Sequence, residues 1–256
     1  MSNKVYGLDF GTTNTAVAIT NNNVCEVLPI GANSTATVPS LIFFPEYGRE
    51  YLIGQNAIDG YLNSGMNGRL MQSVKSFLPD EGFKGTAVGG RLGYATIEKL
   101  ISIMIRFVKR QADEYVGEEV TEVVLGRPAL FSPDPERDAL AQARLVDAAQ
   151  QAGFEQVHVQ KEPIAAAFDY ERSIGREEIA FIADFGGGTS DFTIMRLGPD
   201  HVDGADRSTD ILGVDGVYVG GNNFDSSIMW HRLIRHFGSD SEFKEWDRWL
   251  PMPRHL

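Results

Sequence analysis

The amino-acid sequence predicts an α/β protein of mixed sheets flanked by helices, and three observations predict it. Two glycine-broken hairpin patterns stand far apart in the chain, at residues 5–19 and 179–195. Between them strand patterns alternate with helix patterns, an order that implies right-handed crossovers and a mainly parallel sheet joined to the hairpins. The hairpins also share one order of residues: an apolar strand, Asp-Phe-Gly, small hydroxyl residues, then a second strand. Such self-similarity reads as an internal duplication.

In the first hairpin Asp9, Phe10 and Gly11 lead through Thr12, Thr13 and Asn14 into a run with Ala16 and Ala18. In the second, an apolar run ends in Asp184, the glycines Gly186, Gly187 and Gly188 follow, and Thr189 and Asp191 open a run alternating Phe192 and Ile194. β-Branched and aromatic runs around a glycine-rich break make a hairpin. Glycine admits positive φ and lets a ligand approach the main chain closely. A turn of bare N–H groups with a hydroxyl and two carboxylates suits a polyphosphate carrying a magnesium ion. Two facing turns would grip a phosphate chain from both sides. The plain alternative is a glycine-rich hairpin with charged edges. The shared Asp-Phe-Gly is not the protein-kinase magnesium motif, which needs a catalytic loop and a Gly-rich strand pair ahead of it.

After the first hairpin, residues 24–30 and 38–44 read as strands joined by a turn-rich link, with Pro39 placed where its missing N–H is tolerated. Residues 55–61 suit a short helix, and 65–68 break the pattern. Residues 70–77 read as a short helical stretch ended by Pro79, with Lys75 as its one cation; a solvated surface lysine is the default for such a residue. Residues 96–116 carry the clearest helical stripe, from Ile97 through Leu100, Ile101, Met104 and Val108 to Ala112 and Tyr115, a core face. Residues 121–126 form a buried strand ended by Arg127-Pro128. A helix follows over about 134–152, opened by Pro133 and Pro135 and closed by Gly153. Residues 156–160 are a strand, and Pro163 starts the next helix. Glu162 therefore stands at the strand's end, where ligand-facing residues of α/β sheets gather; its charge also suits a helix N-terminus for structural reasons alone. Past the second hairpin, residues 217–225 end a strand and start a helix over 226–237. Gly220 and Gly221 at that junction either cradle an anion or serve as plain turn residues.

Composition bounds the function. The chain has 256 residues, 43% hydrophobic and 23% charged, which is ample for one large or two ordinary domains with a substantial core. A formal net charge of −12 argues against nucleic acid or an anionic membrane as partner. The single cysteine, Cys25, lies in an apolar run and is expected buried and inert. It forms no internal disulfide, and with no apolar signal core after Met1 a reducing cytoplasm is the expected setting.

Together these residues resemble the ATPase domain of the heat shock protein 70 chaperone family, within the actin and sugar-kinase superfamily. The first hairpin is similar to that family's first phosphate motif, residues 184–191 to its second, and Lys161-Glu-Pro-Ile-Ala-Ala-Ala and Gly220-Gly-Asn-Asn-Phe-Asp to its connecting-helix and following glycine segments. The resemblance implies an actin-like (ribonuclease H-like) fold. Its first lobe would span residues 1–175, with a small inserted subdomain at about 45–115, and 176–256 would be the start of a truncated second lobe. It implies ATP or ADP held by Gly11, Thr12, Thr13, Asn14, Gly186, Gly187, Gly188, Thr189, Gly220 and Gly221. Magnesium would sit at Asp9 and Asp184, and Lys75, Glu162, Thr189 and Asp191 would surround an attacking water. Lys75 falls where the family has its catalytic lysine and Pro128 where it has a switch proline, with Arg137 the nearest candidate for that switch's arginine. Protein clients and co-chaperones would engage only the full-length protein. Ser190 and the pair Asn222-Asn223 depart from the common chaperones, which carry an aromatic residue and two acids there, so a divergent bacterial member is expected. A small-molecule kinase, a filament-forming actin relative and a non-catalytic nucleotide sensor are the alternatives.

Overall fold

The structure is a computed structural model that describes residues 4–21, 24–47, 50–88, 92–199, 207–239 and 241–251. Its first strands, β1 (Val5–Phe10) and β2 (Asn14–Asn21), form an antiparallel hairpin in unbroken register from Val5↔Thr20 to Phe10↔Thr15. Both β3 (Val24–Val27) and β4 (Thr37–Pro39) pair with β2. The strand expected over 24–30 thus ends early, though Leu28 and Ile30 still enter the core. Cys25 is exposed rather than buried, because β3 is the edge of the sheet.

A small sheet follows. Here β5 (Ile42–Pro45) lies between β6 (Leu52–Ile53) and β7 (Gly68–Met71), with α1 (Gln55–Asn63) packed on it. The helical stretch expected at 70–77 is therefore divided. Leu70 and Met71 pair with Phe43 and Ile42 in β7, and a left-handed Ser73 (φ 55°) separates them from a single 3-10 turn, Val74–Phe77. A hairpin of β8 (Thr86–Val88) and β9 (Gly93–Ala95) leads into α2 (Ile97–Val116). At its start the Thr96 side chain accepts from the Lys99 N–H, and Gly117 ends it in the left-handed region.

Next come β10 (Glu122–Arg127), α3 (Pro135–Ala152), β11 (Gln156–Lys161) and α4 (Glu162–Glu171). β1 pairs parallel with β10 and β10 parallel with β11, giving the path β11-β10-β1-β2-β3. Among the described residues only these two ladders are parallel. The sheet is mixed rather than mainly parallel, because the meander of β1, β2 and β3 supplies the rest. Tyr6, Leu8 and Phe10 on one face of β1 join Val123, Leu125, the α2 stripe and Leu145 of α3 in one buried cluster. Each such side chain contributes about 1.5–3 kcal/mol by leaving water.

The second sheet repeats the meander: β12 (Glu178–Phe185), β13 (Ser190–Leu197) and β14 (Ile211–Val217) pair antiparallel in sequence order. α4 covers one face, where Ile164 and Ala167 meet Met195 and Leu197. The residues of β13 buried on that face are thus Asp191, Thr193, Met195 and Leu197, whereas Ile194 lies on the opposite, open face with Phe192 half-buried beside it. The following helix starts earlier than expected, as α5 (Gly221–Ile228), and winds on through a wider turn, Met229–Leu233, and a 3-10 turn, Ile234–Phe237. It opens at Gly221 because the Gly220 N–H donates to Asn223 Oδ1 at 3.0 Å, closing the first turn. A last hairpin joins β15 (Glu242–Glu245) to β16 (Arg248–Pro251). Among the described residues no helix is long and apolar enough to cross a membrane.

Candidate functional site

The two meanders meet turn to turn. The β1–β2 turn and the β12–β13 turn form opposite walls of one cleft of about 320 Å³. Asp9, Gly11, Thr12, Thr13 and Asn14 line the first wall, and Asp184, Gly186, Gly187, Gly188, Thr189 and Asp191 the second. Lys75 and Glu162 close the floor between them. Residues from six separate stretches of sequence are thus brought to one place.

Each turn is braced from behind. The Ser40 N–H donates to Thr13 O and the Ser40 hydroxyl to Gly11 O, both at 2.8 Å. On the other side the Gly221 and Asn222 N–H groups donate to Gly186 O (3.0 Å) and Gly187 O (2.9 Å). Gly220 and Gly221 therefore stand behind the second turn instead of lining the cleft, and the Gly221 donor is already committed. None of Gly186–Gly188 takes a positive φ. What calls for glycine is proximity: a Cβ on Gly187 would run into the Thr13 hydroxyl, and one on Gly220 would lie 2.7 Å from Gly186 O.

Lys75 is not a solvated lysine. It is 7% exposed, and its Nζ donates to Glu162 Oε1 at 2.8 Å. The 3-10 turn after Ser73 aims it inward, and Glu162 meets it from the first turn of α4. Asp191, 1% exposed, accepts from the Thr189 hydroxyl (2.8 Å) and from the Ala129 N–H (2.8 Å), and pairs across the hairpin with Asp184.

Four carboxylates thus share the cleft with one ammonium. Burial, then repulsion from Glu162, pushes Asp9 up to about 6 against the pull of Lys75. Asp184 is raised by burial and by its neighbours Glu162 and Asp191. Asp191 is raised chiefly by burial, opposed by its Thr189 and Ala129 hydrogen bonds. The surplus of negative charge repels a bare anion and favours one that arrives with a cation. Among the described residues no three acids, histidines or cysteines gather closely enough to hold a metal alone. Magnesium, which keeps several waters and takes phosphate oxygens as ligands, fits such a donor set.

Sequence patterns missed Ser40, Phe131 and Tyr218. The last two line the cleft, and burial pushes the Tyr218 phenol up to about 12, with Asp138 and Asp191 adding to it. Phe131 follows the carboxyl end of β10, the position at which α/β sheets present ligand-facing loops, and that signal was readable. Arg137 is half exposed and pairs with Glu81 at 3.4 Å, so it does not reach the cleft.

Two glycine turns facing across an acid-lined cleft, with a buried lysine on its floor, define a class: an α/β protein with a two-walled cleft suited to a cation-bound anion. Comparison with known proteins narrows it. The family model described as Hsp70 protein matches residues 81–247. The chain is 33% identical over 237 residues to the Chaperone protein DnaK of Thermosipho africanus (strain TCF52B), covering 90% of this chain and 36% of that protein. The chain belongs to the Hsp70 family.

Proposed function

We propose that the chain is the ATP-binding and ATP-hydrolysing part of an Hsp70-like chaperone, with an actin-like fold in which the repeated meander supplies one phosphate wall per lobe. The reaction is attack of water on the γ-phosphate of ATP, where catalysis is mostly positioning and charge stabilisation. Main-chain groups of 11–14 and 186–189 hold the phosphates. Asp9 and Asp184 would hold magnesium, which would offset the charge of the phosphates. Lys75 stabilises charge growing on the transferring group, Glu162, Thr189 and Asp191 surround the water, and a carboxylate among them orients it or accepts its proton. In the full-length protein, a cytoplasmic chaperone, the nucleotide state would govern closure of the cleft and through it the grip on protein clients, with co-chaperones acting on the same protein.

The observation that carries this reading is the ion pair of buried Lys75 with part-buried Glu162 on the floor between the two turns. A buried ion pair is weak support for stability, so its place in an open cleft points to chemistry. Family membership favours this reading over a small-molecule kinase. In the full-length protein, Lys75→Ala is expected to slow single-turnover hydrolysis about a hundredfold, as loss of an electrostatic stabiliser does. Nucleotide affinity should fall much less, because the charge matters most in the transition state. Equal rates for variant and wild type would remove Lys75 from the mechanism.

A further inference from the structure

Between β10 and α3, residues 128–131 lean out from the first sheet toward the second. The strap touches the second sheet at two points. The Ala129 N–H donates to Asp191 Oδ1 at 2.8 Å, and Leu130 O accepts from the Tyr218 hydroxyl at 3.4 Å. Pro128 and Phe131 line the cleft.

Arg127, the last residue of β10, holds this strap at both ends. It is 6% exposed. Its Nε donates to Pro128 O at 3.1 Å, and its two terminal nitrogens donate to Gln142 Oε1 and Asp138 Oδ1, each at 2.6 Å. The same Asp138 oxygen accepts from the Phe131 N–H at 2.6 Å, and the guanidinium stacks 4.8 Å from the Phe131 ring. Burial opposes ionisation of Asp138, but the bonds from Arg127 and Phe131 hold its carboxyl below the usual range. One planar guanidinium, with donors in a fixed fork, thus fixes where the strap leaves the sheet and where it enters α3. The Ala129 N–H lies between those two anchors.

We propose that Arg127 is a positioning residue for the cleft: by clamping residues 128–131 it aims the Ala129 N–H at Asp191 and so orients the carboxylate that faces the reacting water. The inference rests on the ATPase reading above. It assigns Arg127 to the rate of the chemical step, because the strap's main-chain donor acts on a cleft carboxylate and the phosphate-holding turns are braced independently, by Ser40 and Gly221.

The test separates positioning from packing. In the full-length protein, Arg127→Met with Asp138→Leu removes the whole ion pair of buried Arg127 and part-buried Asp138, a replacement that is often neutral for stability. The double variant should melt within about 4 °C of wild type and bind Mg-ADP alike, yet hydrolyse ATP about ten- to a hundredfold more slowly, the scale of a small misplacement at a reacting centre. Arg127→Lys keeps the charge opposite Asp138 but cannot hold Gln142 and Pro128 O as well; it should show the same split between rate and affinity at roughly tenfold. Wild-type hydrolysis in either folded variant overturns the proposal. So does a rate loss matched by an equal loss of Mg-ADP affinity, which would mean a collapsed cleft. A wild type that binds nucleotide but never hydrolyses it overturns the ATPase reading and this inference together.

Discussion

The two hairpins carry the same turn chemistry on very different foundations. In the first, Tyr6, Leu8 and Phe10 point into a core closed by α2 and α3, and the opposite face of β1 carries only Val5, Gly7 and Asp9. In the second, α4 covers one face, while Ile179, Phe181 and Phe185 stand exposed on the other. There Phe181 stacks on Phe192 (5.9 Å between centroids, 9° between planes) and Phe185 meets it edge-on at 6.0 Å. Local stability follows buried apolar contact. The first turn is therefore a fixed wall, and the second is held chiefly by α4 and by the backbone bonds from Gly221 and Asn222.

Mutations at matched depths sharpen this contrast. Phe10→Ala removes a side chain that is 1% exposed and should cost about 3–5 kcal/mol in denaturant unfolding, the range for large buried rings. Gly220→Ala comes next. Its Cβ would press on main-chain atoms of Gly186 and Gly187 at 2.7 Å, and backbone yields less readily than a side-chain tip. A cost of about 1–3 kcal/mol is expected, with calorimetry showing weaker Mg-ATP binding. Unchanged affinity would mean that the second wall does not hold phosphate.

Asp9→Asn should act in the opposite direction. The folded carboxyl titrates near 6 against an ordinary 3.8, so ionisation weakens the fold: its contribution is intact below about pH 4 and lost as pH rises toward 6. With solvent on its open side screening the effect, the variant should melt about 2–4 °C higher than wild type at pH 7, the scale of ~1 kcal/mol. The gain should vanish near pH 4, where both side chains are neutral. A gain that persisted at pH 4 would place its origin outside the carboxylate cluster. The smallest effect belongs to Phe181→Ala. That ring is 66% exposed, and the change should stay within about 0.5 kcal/mol. A loss as large as that of Phe10→Ala would end the distinction between the two hairpins.

Local patterns sufficed for everything that depends on local residues. The order Asp-Phe-Gly followed by Thr, twice, revealed both turns. The stripe from Ile97 to Ala112 revealed α2, and Pro133 with Pro135 the start of α3, because helix breakers and periodicity are properties of neighbouring residues. Which face of a strand is covered is not such a property. Phe192 and Ile194 alternate as a core face would, yet α4 covers Thr193 and Met195 instead. Leu70 and Met71 fit a helix but were claimed by Phe43 and Ile42 across a sheet. Lys75 is the sharpest case. Its own neighbours describe a surface lysine, and only a carboxylate 87 residues further on, delivered to 2.8 Å by the end of β11 and the start of α4, makes it the buried cation of the cleft. Residue type and spacing determined the parts and their chemistry; the partner of each charge was decided by long-range pairing, which no local stretch contains.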